Sequence, residues 1–378
     1  MSAIDPRAWL ETLREHPRVF GALVVALAIA FGPSLVWRAL PSKTVEVVIV
    51  DKTVPFPKYR EHAAVPWLLH AAKLRSRSGA FLSPETSYVG FDPKARAGHD
   101  LTAEHLAGAD ALVITDTYGV YRGDYERPGD EAALERSPKI YGGMSDAEAA
   151  LVEGFTSKGG LVLGEFNTFA SPTEDAARAR LERVFGVRWT KWVVRYWPDL
   201  QDANEVPKWV GRIWERLMNR PFDLTGAGLV FVREDQDMLV LRAGEDLEGD
   251  VLVQERTPAG AAFDLPKRGG FWFWMDIVEA TDADVLHEHV PAVTSKGAAM
   301  LAAHGLPKRF PALTKRHDAW YFAGDFVDTA ADLGDPERAG LLTWRSYMNG
   351  FGGAVSEDRS FWSFYAPIFL RVVGSRAR

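Results

Sequence analysis

The sequence predicts an α/β protein carried on a membrane-spanning helix. A mainly parallel sheet with helices on both faces follows the anchor, and a mixed α/β part closes the chain. Three observations lead there. Residues 19–37, VFGALVVALAIAFGPSLVW, are uncharged between Arg18 and Arg38. From 45 to 186 apolar strand-like runs alternate with helical stretches, the pattern of a parallel sheet with crossover helices. After Gly186 the runs pair as hairpins, which adds antiparallel character.

The apolar run is 19 residues long. At about 1.5 Å per residue it covers the roughly 30 Å of a bilayer's hydrocarbon layer. A cleaved signal peptide is the competing reading. It wants a shorter apolar core and a small-x-small cleavage site, which Trp37-Arg38-Ala39-Leu40-Pro41 does not supply. Residues 1–18 form a short cytoplasmic head, in which Asp5-Pro6 starts a helix with Trp9, Leu10 and Leu13 on one face. Basic residues flank both ends of residues 19–38, so charge barely sets the orientation. A short head before a long body favours a signal anchor with the body exported. The expectation is a single-pass inner-membrane protein, its C-terminal domain extracytoplasmic and its bilayer partner engaged through residues 19–38.

Composition narrows the classes. The chain has 378 residues, 47% hydrophobic and 25% charged, enough for one large domain or two smaller ones. A net charge of −7 argues against a nucleic-acid partner. With no cysteine, disulfides, thiolate metal sites and thiol nucleophiles are excluded. No phosphate loop, dinucleotide fingerprint or serine elbow is present, and no cofactor or resident metal is expected.

The elements follow in order. Val45–Val50 reads as the first buried strand and ends in Asp51. Tyr59–Leu74 has helical spacing, 76–100 reads as loops around a short strand near Tyr88-Val89, and 101–106 as a short helix. Ala111–Thr115 is a second buried strand, ending in Asp116, and 120–143 a long loop over the sheet. Ser145-Asp146-Ala147-Glu148 is a capping box for a helix to about Lys158. Leu161–Leu163 is a third strand, followed by a turn with Glu165 and Asn167. Ser171-Pro172-Thr173-Glu174 reads as a second capping box, with its helix starting at the proline. Beyond it come a strand at 187–197, a helix at 206–218, a hairpin of 229–232 with 238–241, and strands at 251–254, 271–277 and 321–323. The apolar tail 361–373 is too short to span a bilayer. It reads as a helix docked on the core or in contact with membrane or a membrane protein.

Three acids, Asp51, Asp116 and Glu165, end three successive strands. In an open α/β sheet, ligands collect at that edge. Clustered acids raise one another's pKa or recruit a cation, so the edge suits binding or acid–base work. Tyr118, Asn167 and Arg195 would complete a polar pocket, and Asp325, after Tyr321–Gly324, repeats the strand-then-acid order. Asp116 and Glu165 are the candidates for catalysis. His287-Glu288-His289 reads as a solvated loop, because histidines two apart face the same way only on a strand. Trp189, Trp192 and Trp197 share no simple two-residue period, so some are expected to be exposed or to line a groove, as sugar recognition requires.

A strand, a tight turn at Gly164-Glu165-Phe166-Asn167 and a helix after it resemble the elbow of the class I glutamine amidotransferase-like superfamily. The resemblance covers about residues 44–200 and implies a flavodoxin-like sheet over 44–245, with 246–378 as a mixed extension packed on it. In that superfamily the elbow presents a cysteine. This chain has none, so the resemblance implies a degenerate, membrane-anchored bacterial member without glutaminase activity. The expected role is non-enzymatic binding of an envelope polysaccharide or a membrane-protein partner. A glycan-directed hydrolase using the strand-end carboxylates is the alternative.

Overall fold

The computed structural model describes residues 17–126, 137–249, 253–271, 273–328, 333–350 and 357–378. The segment with Asp5, Trp9 and Leu13, the middle of the 120–143 loop, the first two residues of the 251–254 strand, and Trp272 lie outside the described residues.

The described residues open on helix α1, Pro17–Ala39, whose mean hydropathy reaches 2.3 over 18 residues with none of that window buried. It is long and apolar enough to cross a membrane. Its C-terminal end is tied to the body. Trp37 is buried and its indole N–H donates to the Ala71 carbonyl at 3.1 Å. The Lys73 ammonium donates to the carbonyls of Trp37 at 2.7 Å, Arg38 at 3.2 Å and Leu40 at 2.5 Å. These are the carbonyls a helix end leaves unpaired, and a cation there also meets the negative end of the helix dipole.

The body is one mixed sheet with a second sheet packed beside it. Strands β1 (Val47–Asp51), β2 (Val89–Asp92), β3 (Ala111–Asp116) and β4 (Leu161–Gly164) run parallel in the order β2-β1-β3-β4. Helix α2 (Ala64–Ala71) follows β1, α3 (Asp146–Ser157) precedes β4, and α4 (Asp175–Phe185) follows it. The near-continuous apolar strands are what a sheet covered on both faces needs.

The C-terminal part does not form a separate sheet. β10 (Asp284–Val290), β11 (Phe310–Arg316) and β12 (Ala319–Phe322) extend the same one, β12 lying parallel beside β4. With β8 (Val253–Arg256) and the short strands Arg268–Gly270 and Ala97–Gly98 toward its edges, the sheet has ten strands among the described residues, a parallel centre and antiparallel flanks. A four-stranded antiparallel sheet is built from β5 (Val187–Trp197), β6 (Gly228–Arg233), β7 (Met238–Arg242) and β9 (Met275–Ala280), with α5 (Lys208–Met218) packed on it. The α/β class with a mixed C-terminal part is what the sequence predicted.

Several local expectations are corrected. The Ser145 box forms, with the Ser145 hydroxyl and the Glu148 backbone and carboxylate capping reciprocally. The Ser171 box does not. That helix begins at Asp175, after a cis Ser171–Pro172 bond, and Glu174 is its N-cap. The Glu174 carboxylate accepts instead from the Asp146 N–H of α3 at 3.0 Å, and the Thr173 hydroxyl bonds the Met144 N–H and Thr117, each at 3.2 Å. His287 and His289 lie in β10, not in a loop, and both are fully buried on one strand face, against Phe364 and against Phe271 and Phe310. Burial lowers their pKa to about 4 and about 3. Trp189, Trp192 and Trp197 are all buried rather than exposed in a groove. A bulge between Trp189 and Val193, with Lys191 at φ 69°, resets the alternation, and Trp189, Trp192 and Trp197 each fill a different part of the core.

The tail is a docked helix: a π-turn at Phe361–Tyr365 runs into Ala366–Gly374, with Phe361, Trp362, Phe364, Tyr365 and Phe369 in the core. The pairing of β2 with β1 at the sheet edge is equally tight. Gly90, at φ 155°, allows β2 to approach the end of β1 so closely that a Cβ there would fall 1.6 Å from the Asp51 carbonyl oxygen.

A candidate acid site at the sheet edge

The parallel strands point their carboxyl ends one way, and the acids that end them meet. Asp51 and Asp116 are register partners on β1 and β3. Thr53 joins them: its N–H donates to Asp51 at 2.8 Å and its hydroxyl to Asp116 at 2.7 Å. Asn167 carries the chain onward. Its side-chain amide donates to Asp116 at 3.0 Å and its backbone N–H to Asp276 at 3.2 Å. Asn167 sits at φ 65°, a left-handed position that asparagine tolerates better than most residues. Asp276, from β9, accepts the Tyr321 phenol at 2.6 Å. One hydrogen-bonded path thus runs from Asp51 to Tyr321, across both sheets.

Glu165 is turned inward. It is 1% exposed, and its carboxyl accepts from the Tyr365 hydroxyl and from the Phe326 N–H at 3.3 Å. Burial pushes its pKa up to about 8, against the opposing pull of those donors and the Val327 N–H. Asp116 and Asp276 are likewise raised, to about 7, by burial. Water is excluded from these carboxyls, so the neutral form is favoured.

Tyr118 contributes its backbone, whose N–H donates to Asp116 at 2.6 Å, while its half-buried ring lies 5.0 Å from that of Tyr121. Arg195 is engaged elsewhere. Its guanidinium pairs with Glu205 at 2.6 Å and lies over the rings of Trp197, Phe273 and Trp274. It belongs to the packing around α5 and does not complete the acid pocket.

Asp325 joins a group that the sequence reading missed. Carboxylate oxygens of Glu61, Asp325 and Asp328 lie within 4.8 Å of one another, and Arg60 pairs with Asp328. Burial and mutual repulsion raise Glu61 and Asp325 well above the usual carboxylate range. By donor chemistry these three oxygens would suit a hard divalent cation. His62, also missed, is fully buried between Asp51 (Nδ1 at 2.5 Å) and the Pro84 carbonyl (Nε2 at 2.7 Å). The carbonyl can only accept, so Nε2 is the donor of that bond. Only Asp328, three residues after Asp325, left a trace in the sequence. Glu61 and His62 precede α2 in a turn, and Asp276 sits inside a strand among tryptophans.

No protein-family model matches the chain, and no curated protein matches it. Solved structures that the chain matches include a glutamine amidotransferase from Thermotoga maritima, 11% identical, TM-score 0.36, covering 87% of this chain and 98% of that one. A putative ThuA-like protein from Bacteroides uniformis is 10% identical with a TM-score of 0.38, over 84% of this chain and 97% of that one. A β-galactosidase from Bacillus circulans is 12% identical at TM-score 0.31, and the match covers 75% of this chain and 30% of that one. Likeness of this degree carries no activity to this chain.

Proposed function

We propose that this protein is a membrane-held binding module rather than an enzyme. Its body would lie outside the cytoplasm, and the acid-lined sheet edge would engage an envelope polysaccharide or a membrane-protein partner. The observation that carries the reading is the inward turn of Glu165. At the position where an amidotransferase-like elbow would present a nucleophile, this chain holds a carboxyl sealed under Tyr365 and Phe326. A glycan hydrolase needs two carboxyls facing an open cleft, about 5–10 Å apart. Glu165 at 1% exposure cannot touch a sugar, which weighs against that alternative. The groups placed to meet a partner are the half-buried ones at the rim, Glu61, Tyr118, Asn167 and Asp325. The anchor reading rests on the length and apolarity of α1 and on its firm attachment to the body.

The test has two parts. A C-terminal alkaline phosphatase fusion to the full chain is expected to be active, and the protein to stay with membranes after a carbonate wash. An active cytoplasm-only reporter would sink the exported orientation. Full-length protein in detergent is also expected to co-sediment with isolated envelope polysaccharide or retain a membrane protein. The joint Glu61→Gln, Asp325→Asn variant should lose that binding without losing its fold. Hydrolysis of a glycan by the wild type that disappears in Glu165→Gln would replace this reading with the enzymatic one.

A further inference from the structure

Helix α6, Leu341–Gly350, carries large apolar side chains that are more than half exposed. Trp344, Tyr347 and Met348 are 59%, 62% and 52% exposed. They stand at i, i+3 and i+4, so they share one side of the helix. Beyond residue 40, they are the three most exposed large hydrophobic side chains among the described residues. The opposite side is seated: Leu342 packs on the core, and Arg345 lies over the rings of Trp67 and Trp362 at 5.4 and 4.5 Å. The helix is therefore held in place, and its apolar face is presented outward.

Its position relative to the anchor says what covers that face. The chain entering α6 is bonded to α1, the Ala339 N–H donating to the Pro33 carbonyl at 3.0 Å. Glu337 also lies 3.6 Å from the Arg38 guanidinium. Arg338 to Thr343 line one wall of a cavity of about 320 Å³ whose other walls include Trp37, Leu40 and Lys73. Pro33 is six residues before the end of α1 at Ala39, so the chain leading into α6 meets α1 about 9 Å up the helix from that end. That level falls in the last turns of the apolar span. Tryptophan and tyrosine are the residues that favour the headgroup layer, where an apolar ring and a polar tip are both accommodated.

We infer that α6 is a second membrane contact, an interfacial helix whose Trp344, Tyr347 and Met348 lie in the headgroup layer of the phospholipid bilayer that α1 crosses. The inference rests on the reading of α1 as a membrane span. Its consequence is geometric. A single span alone lets a body swivel, whereas a span plus an interfacial helix, joined at Trp37, Lys73 and Pro33, fixes the tilt of the body. The acid edge is then held at a set height, because α2 and the turn before it link His62, beside Asp51, to Ala71, beside Trp37.

The cysteine-free chain allows a direct test. Nitroxide labels are attached to single cysteines at Trp344→Cys or Met348→Cys of the full-length protein in vesicles of phosphatidylethanolamine and phosphatidylglycerol. Reference labels are placed at Val25→Cys within the span and Glu215→Cys on the exposed side of α5. Collision with oxygen relative to a water-soluble nickel chelate reads the depth. The labels at 344 and 348 are expected to show a ratio several-fold above that at 215 and below that at 25. Labels at 344 and 348 that behave like 215, with 25 in lipid, would overturn the inference and leave the anchor standing. A label at 25 that behaves like 215 would remove the anchor reading and this inference with it. Spin–spin broadening at 344 that vanishes on dilution with unlabelled protein would show a second copy covering the face and would also overturn it.

Discussion

Replacing Lys52 with alanine is expected to cost about 3–5 kcal/mol, the scale of a buried ion pair broken from one side. Lys52 follows Asp51 at the end of β1 and is almost wholly buried. Its ammonium lies 2.7 Å from the Glu148 carboxylate, which is buried too, and donates to the Gly143 carbonyl at 2.9 Å. Glu148 is also the capping residue of α3, accepting from the Ser145 N–H at 3.0 Å, and it accepts from the Leu101 N–H at 3.0 Å. Removing Lys52 leaves that carboxylate buried without a cation. Glu148→Gln keeps the acceptor for the cap, and Asp100 at 3.4 Å from Lys52 retains part of the pairing, so a smaller loss is expected. The pair Lys52→Met with Glu148→Gln should recover much of the loss, since no uncompensated charge remains. Urea melts of the three variants measure this. A loss under about 1 kcal/mol for Lys52→Ala would mean that the pair is open to water.

Stability should rise as pH falls from about 8.5 to 6.5, opposite to the usual behaviour of paired carboxylates. Glu165 is raised to about 8, and Asp116 and Asp276 to about 7, all by burial. An acid whose folded pKa exceeds its unfolded value binds more protons folded than unfolded between the two. Raising pH through that window therefore weakens the fold, by a few kcal/mol in sum across three such groups. His287 and His289 act the other way. Their folded values, about 4 and about 3, lie below the unfolded value, so their contribution is lost as pH falls below about 6.5. The gain is therefore steepest above pH 6.5 and partly offset below it. Thermal melts across this range test the sign. In Glu165→Gln, which cannot ionise, the slope above pH 7 should flatten most. A melting temperature that is flat, or that rises from pH 6.5 to 8.5, would contradict the assignment.

The strands at the centre of the sheet were legible because buried parallel strands leave continuous apolar runs, and each ended in the acid that the reading singled out. Asp51 and Asp116 meet for that reason, and Glu165 points inward from the next strand of the same edge. The failures have separate causes. Arg195 lies on β5, but its partner Glu205 lies in the loop before α5, and no local pattern forecasts that pairing. The Ser171 box had the right spacing, yet the Glu174 carboxylate it needs accepts from the Asp146 N–H of α3 at 3.0 Å. The histidines of β10 looked solvated because polar neighbours surround them in sequence, whereas the aromatic rings that bury them come from the tail and from other parts of the sheet. Tyr365 is 200 residues from the Glu165 it bonds, beyond the reach of any motif.

The central claim, that the elbow acid is a sealed and protonated structural group, is tested most directly by infrared spectroscopy of its carboxyl. The difference between wild type and Glu165→Gln at pH 6.5 should contain a protonated carboxyl band. That band should disappear with a midpoint near pH 8, following the raised pKa of about 8. No such band at pH 6.5, or a midpoint in the ordinary carboxylate range near 4, would place Glu165 in water and return it to the list of groups that can meet a ligand.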